Sequence, residues 1–67
     1  MYLTNRQVQI SNLIYDGQSN KEIALKLGIS VPTVKNHIVE IYKKYDVGSS
    51  RELMKKLRDI DPLNFHG

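Results

Sequence analysis

Apolar residues recur along this chain at helical spacing, in four blocks separated by turns that carry glycine or serine. The first block, at about residues 5–16, presents Ile10, Leu13 and Ile14 as an i, i+3, i+4 stripe. Thr4 and Gln7 stand at the spacing of a capping box, Leu3 and Val8 at that of a hydrophobic staple, and Gly17 offers a left-handed stop. The second block, 20–27, starts behind Ser19 with Glu22 as its reciprocal cap, turns Ile23, Ala24 and Leu27 inward, and ends at Gly28. The third, 31–45, follows after two residues, with Ser30 as cap and Pro32 in the first turn, where a missing N–H costs nothing. At about 100° per residue, Ile38, Ile41 and Tyr45 fall within roughly 40° of Val34, which makes these four the buried seam. The fourth block, 50–59, is capped by Ser49 with Glu52 after the loop Asp46-Val-Gly-Ser-Ser50. Its apolar set is Leu53, Leu57 and Ile60, with Met54 to one side. Pro62 ends regular structure and leaves 62–67 as a flexible tail. No stretch has the alternation of a strand, and no repeat or low-complexity segment interrupts the pattern.

The pattern predicts an all-α, compact four-helix domain over residues 1–61. Its second and third helices meet at the tight turn Gly28-Ile29-Ser30. Ala24 is small enough for a steep helix crossing, Gly28 permits the reversal, and Ile29 and Val34 fill the angle, as a helix-turn-helix requires. An αα-hairpin that only packs a core meets the same local demands. Length allows nothing larger, because a domain of 67 residues buries only about 60% of the surface its unfolded chain exposes.

Composition then removes whole classes of function. There is no cysteine, hence no disulfide staple and no cysteine-based zinc site. His37 is expected as a half-buried packing residue at the flank of the third helix, His66 lies in the tail, and the two do not pair at metal spacing. With no glycine-rich phosphate loop and no core large enough for a cleft, an enzyme is not expected, nor any cofactor or metal. The four tyrosines do not cluster into a stacking platform for single strands. No apolar run approaches the roughly 18 residues that span a membrane, and Met1 is followed by charged, periodic sequence rather than a signal peptide. A cytoplasmic protein is the expectation.

Charge narrows the choice further. The net charge is +3, from 10 Lys+Arg against 7 Asp+Glu. Residues 34–58 hold seven basic groups and three acidic ones, whereas 1–33 are close to neutral. The third helix concentrates this bias on the side opposite its apolar seam, where Lys35, Asn36, Val39 and Lys43 share a face with no acid among the four. A solvated face usually mixes signs. A polyanionic partner explains the bias, and DNA supplies one with base edges to match. Asparagine can bond an adenine edge bidentately, lysine can reach guanine or phosphate, and an exposed valine can meet a thymine methyl.

Beyond the turn, the stretches "LTNRQ" at 3–7, "GQSNKEIALKLGIS" at 17–30, "TVKNHI" at 33–38 and "KYDV" at 44–47 strongly resemble the LuxR/GerE-type helix-turn-helix domain. Order and spacing agree from residue 3 to about 58. The resemblance implies sequence-specific binding of double-stranded DNA by a bacterial transcriptional regulator, with the third helix in the major groove. The outward face of the third helix then supplies the expected base contacts, Lys35, Asn36, Val39 and Lys43, and the free N–H groups at the starts of helices two and three favour phosphate contacts at Ser19, Asn20, Lys21 and Thr33, with Lys44 a further one. The resemblance also implies a homodimer formed on DNA through the fourth helix, by Leu53, Met54 and Leu57, and leaves room for RNA polymerase or a regulatory protein as a further partner. Such domains often follow a receiver or ligand-binding domain, which these residues do not contain. Three positions depart from the family pattern. Gln7 stands where glutamate is usual, Ser11 where a large aliphatic residue is usual, and Ser50 where arginine is usual, with Arg51 one place later. These departures bear on how helices one and four pack. The competing reading is a small helical adaptor or anti-activator that uses the fourth helix, with Met54, against a protein partner.

Overall fold

A computed structural model of the chain describes residues 3–60, the side chain of Ile60 excepted. Its elements are α1 (Asn5–Tyr15), α2 (Asn20–Leu27), α3 (Val31–Tyr45) and α4 (Ser50–Ile60), with no strand among the described residues. The all-α reading and the four helices agree with the sequence pattern to within a residue at each end. The expected tail, 62–67, lies outside the described residues.

Local chemistry sets every boundary. Thr4 Oγ1 accepts the Gln7 N–H at 3.1 Å while Gln7 Oε1 accepts the Thr4 N–H at 3.0 Å, a complete capping box. Ser19 and Glu22 repeat it at α2, with distances of 3.1 and 2.8 Å. At α3, Ser30 Oγ accepts the Thr33 N–H at 3.2 Å, and Pro32 lies in the first turn. Glu52 closes the start of α4 differently, its carboxylate reaching back to the Gly48 N–H at 3.0 Å while Ser49 Oγ accepts the Glu52 N–H. The far ends of α1, α2 and α3 each place one residue in the left-handed region: Gly17 (φ 86°), Gly28 (φ 69°) and Asp46 (φ 56°). In each case the next N–H returns to a carbonyl five residues earlier, Gln18 to Leu13, Ile29 to Ala24 and Val47 to Tyr42, all at 3.0 Å. Asp46 fills this position without being glycine, which a short polar side chain tolerates better than most.

Helix α3 is the centre of the domain, packing against α1, α2 and α4, while α1 also touches α4. The buried core comprises Ile10 and Ile14 of α1, Ile23 and Ala24 of α2, Val34, Ile41 and Tyr45 of α3, and Leu53 and Leu57 of α4. Three of the four expected seam residues of α3 are therefore fully in the core, and Ile38 packs against its edge. The α4 residues require a correction. Leu53 and Leu57 are both 0% exposed, so neither offers surface to a second copy. A three-turn helix with one apolar stripe turns that stripe toward the nearest core, here α1 and α3. Of the three residues expected to dimerise, only the half-buried Met54 retains any outward surface.

The sequence departures in α1 have visible consequences. Ser11 is 0% exposed and its Oγ has no hydrogen-bond partner. Gln7, 7% exposed, accepts a 2.7 Å hydrogen bond from Lys44 Nζ across 37 residues of sequence. The contact that Gln7 makes thus ties α1 to the last turn of α3, rather than to Ser50 of α4.

Candidate nucleic-acid interface

The tight turn at 28–30 sets α3 across α2, and α3's seam commits one side of the helix to the core. Its opposite side is open. Lys35, Asn36 and Lys43 are exposed, and Val39 keeps 49% of its surface in water despite being apolar. The four residues expected to meet bases are thus brought together on one outward face over about two turns of α3. His37 and Ile38 are half-buried at its flank.

The face is not wholly basic. Glu40, the one acid in α3, lies 3.8 Å from the ammonium of Lys43, with the two side chains 56% and 70% exposed. The i, i+3 spacing was legible in the sequence, but helical position alone did not place the carboxylate beside the lysine. An exposed pair of this kind contributes about 0–1 kcal/mol to stability.

The expected phosphate contacts divide. Ser19 is the N-cap of α2, and Asn20 and Lys21 occupy its first turn, so their backbone N–H groups lead the helix dipole. That end already holds an anion. The Glu22 carboxyl bonds the Ser19 N–H, and this bond, with the Ser19 hydroxyl, holds its pKa below the usual carboxylate range. The Ser19 amide is therefore already engaged, and Asn20 and Lys21 are the residues of this end left exposed or half-buried beside it. The Thr33 hydroxyl shares a 2.8 Å hydrogen bond with the Ser30 hydroxyl and is half-buried at the start of α3. Lys44 is engaged within the fold. Its ammonium donates to Gln7 and the residue is half-buried, which makes it a brace between α1 and α3. Lys56 is similarly engaged, donating to the carbonyl of Tyr45 at 2.7 Å and so complementing the C-terminal dipole of α3. Neither interaction was visible in the sequence, because each joins different helices.

Among the described residues no group of His, Asp or Glu could hold a metal ion, and no helix is long and apolar enough to cross a membrane.

Comparison with known proteins decides the family. The profile of the bacterial regulatory proteins of the luxR family matches residues 1–57, most of the chain. The chain belongs to the LuxR family. An uncharacterised response regulatory protein of Escherichia coli K12, YgeK, is 53% identical over 53 residues, which is 79% of this chain and 36% of that protein. The HTH-type transcriptional regulator MalT of Serratia proteamaculans is 36% identical over 65 residues, covering 97% of this chain and 7% of MalT. The chain therefore spans about a third or less of the length of these relatives. No solved structure matches it significantly. A LuxR-family helix-turn-helix domain is a module of transcription regulation, and four helices with a central α2–α3 turn are what such a module requires.

Proposed function

We propose that this domain binds double-stranded DNA sequence-specifically, with α3 in the major groove, and acts in transcription regulation in the bacterial cytoplasm. The observation that carries the reading is the outward face of α3, where Lys35, Asn36, Val39 and Lys43 are all exposed on the central helix of the fold. Asn36 reads a base edge, Val39 meets an apolar base surface, and Lys35 and Lys43 reach guanine or phosphate. The start of α2 approaches the backbone through Asn20 and Lys21, and the start of α3 through Thr33.

Two copies occupy adjacent half-sites about 10 bp apart, with α4 toward α4. The pairing forms on DNA rather than before it. With Leu53 and Leu57 in the core, the outward arc of α4 is Met54 among Arg51, Lys55 and Arg58, with Asp59 at its edge, and two such net-positive arcs repel. Neither buried apolar residue contributes to the roughly 800 Å² per partner that a stable interface needs. The adaptor alternative rests on the same α4 arc, whose half-buried Met54 and three cations suit an acidic protein surface.

Binding assays on cognate and random duplexes divide the two readings. Asn36→Ala relaxes preference at one base pair, costing about 1–3 kcal/mol on the cognate site and little on random DNA. Lys43→Ala weakens both and lowers the salt slope by about one. If both variants fold and bind DNA as the parent does, α3 is not the recognition helix and the adaptor reading takes its place.

A further inference from the structure

Glu40 is out of character on this surface. It is the one acid of α3, it stands one turn after Asn36, and its carboxylate is 56% exposed. Its partner is Lys43 at 3.8 Å, a contact too exposed to account for a carboxylate on a helix that must approach phosphates. A carboxylate entering the major groove gives up water and regains hydrogen bonds only where the groove offers donors. Those donors are two, the amino groups of cytosine and adenine; adenine's stands beside its N7 acceptor, which repels a carboxylate, so the amino group of cytosine is the donor that Glu matches best.

Resting on the α3 reading above, we propose that Glu40 is a specificity-determining residue that accepts a hydrogen bond from a cytosine amino group in the cognate site. At the other base pairs the same carboxylate meets an acceptor at or beside the position it reaches, and it holds Lys43 back from the backbone. Glu40 therefore raises discrimination in two ways, by reading one base and by weakening nonspecific attachment. The second effect has a natural scale. One phosphate contact changes affinity by about eightfold at 0.1 M salt, given a slope of about 0.9 per contact.

The test is selection of sites from a pool of randomised duplexes by the parent and by Glu40→Gln, with Asn36→Ala carried beside them. Affinity for the unselected pool is measured at about 0.1 M salt, and melting is checked for each variant. The parent is expected to select a C·G pair at one position where Glu40→Gln loses that preference or turns toward adenine, which an amide matches bidentately, while the variant binds the unselected pool about two- to eightfold more tightly. A Glu40→Gln consensus identical to the parent's overturns the proposal, whatever the change in overall affinity. So does relaxation at a position where the parent selects anything other than C·G. If Asn36→Ala also leaves both consensus and affinity unchanged, the α3 reading fails as well. If Asn36→Ala relaxes its own position while Glu40→Gln relaxes none, only the role of Glu40 falls.

Discussion

Replacing Gln7 with glutamate tests the joint between α1 and α3. Gln7 Oε1 already sits 2.7 Å from Lys44 Nζ and 3.0 Å from the Thr4 N–H, so a carboxylate inherits both donors without moving. Three effects set the size of the change. A negative charge in the first turn of a helix contributes about 0.3–1 kcal/mol. Converting a neutral acceptor to a charged one roughly doubles the strength of the bond to the ammonium, a gain of about 1 kcal/mol. Desolvation opposes both, because residue 7 is only 7% exposed. The net expectation is a stabilisation of about 1 kcal/mol, which for a domain of this size raises the melting temperature by about 4–8 °C. Thermal melts followed by circular dichroism measure it.

The pH dependence carries the sign. A carboxylate held between an ammonium and an N–H has a folded pKa below its unfolded value near 4.3. Its contribution is therefore present above that unfolded value and disappears as the pH falls through the folded one. Melts of Gln7→Glu and the parent should separate at pH 7 and converge in acid, and Lys44→Met should remove most of the difference. A Gln7→Glu protein less stable than the parent at pH 7 would refute this reasoning, as would a gain that survives unchanged into acid.

Other positions give sharp outcomes by the same melting assay. Ser11→Ala removes a fully buried hydroxyl that has no partner, so it should raise stability by about 1 kcal/mol, and a loss of that size would mean the hydroxyl is satisfied. Leu57→Ala should lower stability by about 2–5 kcal/mol at any protein concentration, because the side chain is 0% exposed; an unchanged melt with impaired pairing on DNA would return it to the interface. Burial pushes the Tyr45 phenol above its ordinary value of 10.0, so its contribution is complete below about pH 10 and lost as the pH rises through the folded value. Tyr45→Phe should flatten that alkaline decline, and an identical decline in the variant would assign it to another group.

The features legible in the sequence were those with local causes. Capping boxes at Thr4 and Ser19 and left-handed stops at Gly17 and Gly28 act within a few residues, and each appears where spacing put it. The outward face of α3 was legible for the same reason, since one helix fixes its own faces once Val34, Ile41 and Tyr45 are buried. What failed was anything requiring a neighbour. A helical wheel gives α4 one apolar stripe but not whether a core or a second copy covers it, and the core took Leu53 and Leu57. The Lys44–Gln7 bond spans 37 residues, so Lys44 reads in the sequence as a phosphate contact, with no sign of its partner in α1. Asp46 does not read in the sequence as a left-handed position, because the residue type that marks such positions most directly is glycine and aspartate adopts them less often.

The most direct measurement of the central claim is a titration of the isotopically labelled protein with duplex DNA, followed by backbone amide chemical shifts. Shifts should concentrate at Lys35, Asn36, Val39 and Lys43 and extend to Asn20 and Lys21. At low occupancy, amides on the outward arc of α4, at Arg51, Lys55 and Arg58, should stay in place. The perturbations should also fade steeply as salt is added, as counterion release demands. Perturbations centred on α4 with α3 silent, or none at any salt concentration, would contradict the assignment of α3 as the helix that reads DNA.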